Sequence, residues 1–365
     1  MKFKTVLMAA AALAATVLAV LLWPRKSFPR PNVVLVVIDT LRADRLRFYG
    51  YPKETAPFLS KLAAHGVVFE KAYSASSWTA PATASILTGL YPFQHGVVVG
   101  LQAQKRLIRK QPHIRINRIP EIVTTLPEVF RQGGYRTFGF ADNCNITDQQ
   151  GFDQGFDRLN SFIHKGGRFL NQQVLDLKGE ILAGSPYFLY LHYNDVHRPY
   201  KIRLDESQKT GDRTTNMKMI YDREIDLVDS CLEKLYAELG WAQNTLVIVT
   251  ADHGEEQNER GFYGHGRTLF NTVIHVPFVL FWPEQKLFSA KRISQNVSTI
   301  DILPTLDSLL GFNPVKELAG HSLVPLLKRA GRALAERYVY SHLHHKEDAP
   351  KSSVHEASIH GDFKS

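Results

Sequence analysis

A chain of 365 residues, 44% of them hydrophobic and 22% charged, is long enough to bury a sizeable core and too apolar to be disordered. It carries no fixed-period repeat or low-complexity tract, which excludes solenoid and fibrous folds. The formal charge of +9 comes without a nucleic-acid-binding motif, so charge alone does not argue for nucleic acid as a partner.

The N-terminus stands apart. Lys2 and Lys4 precede an uncharged apolar run over residues 6–23, closed by Pro24-Arg25-Lys26. A run of 18 residues approaches the roughly 20 that cross a bilayer. Residues 1–30 therefore read as an uncleaved membrane anchor, with a cleaved signal using the alanines between 9 and 15 as the alternative. Either reading exports the rest of the chain, to the periplasm or the extracellular side. Cys144 and Cys231 are too few for a redox argument.

Beyond the anchor, short continuous apolar runs recur at 33–38, 137–141, 187–192, 245–250 and 276–282. They are rich in Val, Ile, Phe and Tyr and read as central strands of a parallel sheet covered on both faces. Helical stretches separate them at 56–65, 126–132 and 221–239. The second is stopped by Gly133-Gly134, and the third carries a helix-period stripe of Ile225, Val228, Leu232, Leu235 and Tyr236. Strands alternating with helices predict a layered α/β domain. Between 101 and 120 stand six basic residues (Lys105, Arg106, Arg109, Lys110, Arg115, Arg118) and no acidic one. That stretch reads as a solvated basic loop or as a surface that attracts anionic substrates or lipid headgroups.

Ligands of open parallel sheets bind beyond the carboxyl ends of the strands. Asp39 follows the first run, and Asp252 follows the run at 245–250 with His253 beside it. Carboxylate and imidazole groups fixed at strand ends suit a divalent cation, although an aspartate there equally caps a helix or forms a turn. A third piece is Ser76-Ser77-Trp78-Thr79-Ala80-Pro81-Ala82-Thr83, leading into a small-residue helix that is expected to begin near Pro81 and to end at Gly89. Thr79 then lies at a helix N-terminus, where free N–H groups favour an anion; the local sequence is equally served by Thr79 as a plain cap.

Taken in order, Pro31-Asn32-Val33-Val34-Leu35-Val36-Val37-Ile38-Asp39, Thr79-Ala80-Pro81-Ala82-Thr83 and Leu87-Thr88-Gly89 resemble the sulfatase family of the alkaline phosphatase superfamily. So do Asp195-Val196-His197-Arg198-Pro199-Tyr200, Asp252-His253-Gly254-Glu255 and Gly264-His265-Gly266-Arg267 downstream, with Ser298-Thr299-Ile300-Asp301 and Ala319-Gly320-His321 completing a series that runs from about 31 to 328. The resemblance implies a three-layer α/β sandwich with a mainly parallel central sheet and a small C-terminal subdomain. It implies Thr79 as nucleophile, and one divalent ion (Ca2+, Mg2+ or Mn2+, with Zn2+ an alternative) on Asp39, Thr79, Asp252 and His253. His197 and His265 would bind the transferring group or protonate the leaving oxygen, each having a core or surface reading as well. Arg267 either adds charge or sits on a helix face.

Two departures narrow the expectation. Sulfatases carry Cys or Ser at the Thr79 position and Arg at the Thr83 position, the pair needed to make formylglycine; threonine cannot become that aldehyde. Thr40 replaces a second carboxylate found in many relatives, which points to one ion. The spacing of Asp195 and His197 disfavours a two-zinc phosphodiesterase. The expected function is a metal-dependent hydrolase or transferase of phosphate, phosphonate or sulfate esters, on a lipid headgroup or glycan. A strict sulfuric ester hydrolase and a catalytically inactive, membrane-tethered binding protein are the alternatives. The expected organisation is an anchor at 1–30, a catalytic domain at 31–345 and the start of an incomplete C-terminal subdomain at 346–365. In it, residues 338–341 form the last central strand and 353–365 the opening hairpin of the small sheet.

Overall fold

The computed structural model describes residues 30–113, 115–184, 186–283, 285, 288, 290–328, 335, 337–344 and 354–364. The expected anchor at 1–30 lies outside them, save for Arg30; among the described residues no helix is long and apolar enough to cross a membrane.

The five apolar runs all contribute to one sheet of eight strands. In chain order these are β1 (Asn32–Ile38), β2 (Val67–Phe69), β3 (Arg136–Ala141), β4 (Arg158–Ser161), β5 (Tyr187–Tyr193), β6 (Thr245–Thr250), β7 (Phe278–Phe281) and β8 (Lys291–Ile293). Their spatial order is β8-β2-β7-β6-β1-β5-β3-β4. β1 lies at the centre, parallel to β5 on one side and β6 on the other. β7 is antiparallel to both β6 and β2 and is the reversed strand of this sheet. That corrects one expectation: the run at 276–282 is not a parallel strand, and it splits, with His275–Val276 pairing instead with Ala72–Tyr73. Pro277 separates the two pieces because it has no N–H to give a ladder.

Alternation along β1 shows why its run is continuous. Val34, Val36 and Ile38 face one apolar layer, and Val33, Leu35 and Val37 face the other. Helices α1 (Pro57–His65), α2 (Thr79–Thr88), α3 (Leu101–Lys110), α4 (Leu126–Gln132), α5 (Gly167–Asp176), α6 (Arg213–Glu238) and α7 (Ile302–Leu310) supply most of the cover. Leu59 of α1, Val174 of α5 and Ile225 and Leu232 of α6 pack on the first face. Ala84 of α2, Phe130 of α4 and Leu303 of α7 pack on the second, with Phe130 stacked on Phe188 at 4.3 Å. Each such Leu, Val, Ile or Phe side chain contributes about 1.5–3 kcal/mol on burial, so a sheet apolar on both faces needs two helical layers. This is the three-layer sandwich.

Three local expectations are corrected. α6 begins at Arg213, well before residue 221, because Asp212 caps it, accepting from Thr214 N at 3.2 Å and Thr215 N at 2.8 Å. The basic stretch is not a loop at its start: Leu101, Ala103 and Gln104 turn inward and make 101–110 a helix, with Arg109 and Lys110 in the last turn facing the negative dipole end. The strand over Val339–His344 does not join the central sheet; it pairs antiparallel with Val354–His360, which turns back into Phe363–Lys364.

Candidate active site

The cluster sits at the carboxyl ends of β1, β5 and β6. Asp39 directly follows β1, and Asp252 lies two residues past β6. His192 occupies the penultimate position of β5, in register with Val37. Thr40, just past Asp39, takes a left-handed conformation with φ of 59°, a strained choice for a β-branched residue. The turn is held by Thr40 N donating to Asp252 Oδ1 at 3.2 Å and by the Tyr221 hydroxyl donating to Thr40 O at 2.7 Å.

Thr79 is the first residue of α2, two positions earlier than the proline signal suggested, with Trp78 as an N-cap that makes no side-chain capping bond. Pro81 therefore sits inside the first turn, where its missing N–H costs nothing. Gly89, in the left-handed region at φ 67°, ends the helix as expected.

Asp39, Thr79, Asp252 and His253 meet in one buried group. Thr79 Oγ1 stands 3.4 Å from Asp39 Oδ2 and 3.4 Å from His253 Nε2. His253 Nε2 stands 3.6 Å from Asp39 Oδ1 and 3.6 Å from Asp252 Oδ2. These separations exceed the 2.7–3.2 Å of a good N–H···O bond. They fall instead within the edges of a coordination shell, since two ligand atoms each about 2.1–2.5 Å from one ion stand about 3.0–4.1 Å apart at right to tetrahedral angles. Asp39 Oδ1 and Asp252 Oδ2 are buried with no hydrogen-bond partner, which the donor set explains if a cation lies between them. His253 is oriented for it: Nδ1 meets the Gly254 carbonyl at 2.8 Å and must donate there, leaving the Nε2 lone pair facing the carboxylates.

Electrostatics agree with the need for a cation. Burial and the neighbouring Asp39 charge push the Asp252 carboxyl well above the usual carboxylate range. Asp39, against the burial that would raise it, is held below that range by the nearby imidazoles of His192, His197 and His253. Burial lowers the pKa of His253, His197 and His265.

The two other expected residues border the cluster. The His265 ring lies 4.4 Å from that of His253, and the His197 ring lies 5.0 Å from that of His265. Gly266 N donates to Ser77 O at 2.9 Å, tying the His265 segment to the approach to Thr79. His265 Nδ1 faces Glu255 Oε1 at 3.4 Å, and His197 Nδ1 is buried without a hydrogen-bond partner. Arg267 is on no helix; it is exposed and lines a separate cavity of about 670 Å³ with Arg260 and Lys364.

Sequence reasoning missed His192 and Asn143. Asn143, past the end of β3, donates from Nδ2 to Asp39 Oδ2 at 2.6 Å. His192 Nε2 lies 3.5 Å from the same oxygen. The signal for His192 was available: an imidazole at the inner end of a strand that is otherwise apolar or aromatic. Asn143 left none, being one polar residue in a polar turn.

The Sulfatase family model matches residues 31–312. The N-acetylgalactosamine-6-sulfatase of Canis lupus familiaris is 26% identical over 369 residues, covering 85% of this chain and 68% of that protein. Arylsulfatase A of Homo sapiens is 26% identical over 363 residues, covering 83% and 69%. The chain thus spans about two thirds of the length of these curated relatives. Among solved structures, the phosphonate monoester hydrolase of Agrobacterium radiobacter has a TM-score of 0.71 at 19% identity, covering 92% of this chain and 86% of its own. A 2-O GAG sulfatase has a TM-score of 0.72 at 20% identity, covering 92% and 82%. These two likenesses bear on the fold, a mainly parallel central sheet between helical layers. The chain belongs to the sulfatase family, and the curated relatives named above are sulfatases.

Proposed function

We propose that this protein is a single-metal ester hydrolase or transferase in which Thr79 attacks the phosphorus of a phosphate or phosphonate ester. The observation that carries the reading is the position of Thr79 Oγ1: at the first residue of a helix, 3.4 Å from both Asp39 and His253, beside two buried carboxylate oxygens that lack partners. Asp39, Asp252, His253 and Thr79 would hold one divalent ion. Such an ion supplies Lewis-acid polarisation of a non-bridging ester oxygen and acidifies a hydroxyl.

The chain's own groups account for the rest. In the first turn of α2, Thr79 and Ala80 carry N–H groups without an acceptor inside the helix, Pro81 having none, and these would face the incoming anion. A bond forms from Thr79 Oγ to phosphorus as the bond to the leaving oxygen breaks; the hydroxyl proton passes to solvent, and the leaving oxygen takes a proton from His197 or His265. Water or an alcohol then attacks the threonine ester, its proton returns to the histidine, and the departing Thr79 oxygen regains from solvent the proton it gave up. Glu255 orients His265 through Nδ1, and its charge stabilises the imidazolium as it forms.

The chemistry of threonine favours phosphorus over sulfur. A formylglycine hydrate sheds sulfate by collapse of its own hemiacetal, with no attack at sulfur. A threonine sulfate has no such exit, whereas a threonine phosphate is opened by attack at phosphorus. The N-acetylgalactosamine-6-sulfatase and arylsulfatase A relatives are sulfatases, so sulfate ester hydrolysis is the competing reading. Aryl phosphate, phosphodiester, phosphonate and sulfate esters should be assayed with wild type and Thr79→Ala. Turnover of a phosphorus ester that falls at least about 10³-fold in the variant supports the proposal, and Thr79-dependent turnover of sulfate esters alone overturns it. The same reading places the catalytic domain outside the cytoplasm behind an anchor at residues 1–30. Protease accessibility of the domain in intact cells or spheroplasts tests that placement, and protection from protease in both would contradict it.

A further inference from the structure

We propose that Arg198 and Arg213, both held against the ring of Tyr263, form a subsite for a second anionic group of the substrate, a carboxylate or a phosphate set apart from the reacting ester; this rests on the ester hydrolase reading of the site. Arg198 directly follows His197, and its guanidinium carbon lies 5.3 Å from the centre of the Tyr263 ring. Arg213, the first residue of α6, reaches the same ring at 5.9 Å. Both distances are those of a cation over an aromatic face. Tyr263 is a fixed platform for the pair. Its hydroxyl meets Thr214 Oγ1 at 2.7 Å, and Thr214 Oγ1 accepts from Asn258 Nδ2 at 3.1 Å.

The protein does not neutralise these two charges closely. Arg198 Nε is buried with no hydrogen-bond partner, and its ion pair with Glu255 Oε1 is long at 3.7 Å. That oxygen also faces His265 Nδ1 at 3.4 Å, so one carboxylate is shared by an imidazole and a guanidinium. Among the described residues, neither guanidinium donates a hydrogen bond to the protein. Asp212, beside Arg213 in the chain, is turned back to Thr214 N and Thr215 N. A cation at the first position of a helix also meets the positive end of the dipole. Two like charges against one ring therefore cost free energy that a bound anion would offset.

The pair borders the reacting centre. Arg198 Nη2 lies 3.3 Å from where a Cβ on Gly264 would stand, and Gly264 precedes His265, whose ring is 5.0 Å from that of His197 and 4.4 Å from that of His253. The Arg198 side chain is 30% exposed and Arg213 is exposed, so both are open to a ligand. A guanidinium presents paired N–H groups that match the oxygens of a carboxylate or phosphate. His197 and His265 stand where the leaving oxygen takes its proton, so the second anion belongs to the leaving-group side of the substrate.

Binding tests this without turnover. Alkylphosphonates, whose C–P bond is not an ester, are titrated by calorimetry into wild type, Arg198→Ala, Arg198→Lys and Arg213→Ala with Mn2+ present. Chains of graded length end in a methyl, a carboxylate or a second phosphonate, and thermal melts report folding. Wild type should bind a doubly anionic chain of fitting length about 10–100-fold more tightly than the methyl-ended chain of that length. The ratio should fall toward one in Arg198→Ala and Arg213→Ala and persist in part in Arg198→Lys. The end group with the larger gain distinguishes carboxylate from phosphate. A ratio of one in wild type at every length, or a ratio that neither alanine variant lowers, overturns the inference and leaves the ester site standing. Wild type that binds no phosphonate at all overturns the ester reading itself, an outcome distinct from the first. If Arg198→Ala does not fold, Arg213→Ala decides the matter by the same ratio.

Discussion

Acid should unseat the helix that carries Thr79, and His95 is the group through which it acts. His95 closes a short helix over Pro92–His95 and is fully buried. Its Nδ1 accepts from Val97 N at 3.1 Å, so the proton sits on Nε2, which donates to Ser85 Oγ of α2 at 2.9 Å. Protonation would set a second N–H against that of Val97. Burial accordingly holds the His95 pKa down to about 3 from 6.5. The folded pKa lies below the unfolded one, so the unfolded chain takes the proton first. Stability is fully present above pH 6.5 and is lost as pH falls from there toward 3, at about 1.4 kcal/mol per unit. At pH 4.5, two units down, the loss is about 2.7 kcal/mol. Urea unfolding of wild type and His95→Gln from pH 7.5 to 4.5 measures it. Other groups titrate in both proteins and cancel in the difference. Wild type should lose stability more steeply by about one proton between pH 6 and 4.5, so the two curves converge. Parallel pH profiles would refute the reasoning.

Other perturbations obey the same logic. Gly254→Ala would set a Cβ 2.3 Å from the Thr272 carbonyl oxygen, so thermal melting should show a loss of about 1–3 kcal/mol with weakened metal binding at His253; an unchanged melt and metal affinity would contradict this. Asp229 accepts Phe58 N at 2.7 Å and Leu59 N at 2.8 Å, capping α1 from α6; Asp229→Ala should cost about 1–2 kcal/mol in urea titration and speed amide exchange at both residues. Removing divalent ions leaves two buried carboxylates facing each other, so chelation should lower the melting temperature and refilling should restore it, by about 2.7 kcal/mol at a hundredfold excess over Kd. Asp252→Asn should abolish most of that increment, and a wild type indifferent to chelator would count against the site.

The sandwich was legible because a strand buried on both faces must be apolar at every position, as β1 is with Val33, Val34, Leu35, Val36, Val37 and Ile38. The direction of β7 was not, because an antiparallel strand inside a covered sheet carries the same apolar run. α3 stayed hidden because its inward residues are few, Leu101, Ala103 and Gln104, and its cations dominate the composition. The polar start of α6 was missed because a cap, not an apolar stripe, defines it. At the site, Asp39 and Asp252 could be found as carboxylates ending apolar runs, and Thr79 by the helix start beside Pro81. Their convergence depends on the strand order β6-β1-β5, which no local pattern encodes. The same order places His192 beside Asp39, a neighbour across the sheet that is distant in sequence.

The central claim is that Thr79 Oγ forms a bond to the reacting atom. The direct measurement is mass spectrometry of the protein quenched in acid during turnover of a phosphate or phosphonate ester, with fragmentation to locate the adduct. The account predicts a phosphorus-containing ester on Thr79, absent from Thr79→Ala. An unmodified Thr79 in actively turning-over enzyme, or an adduct on another residue, would contradict it.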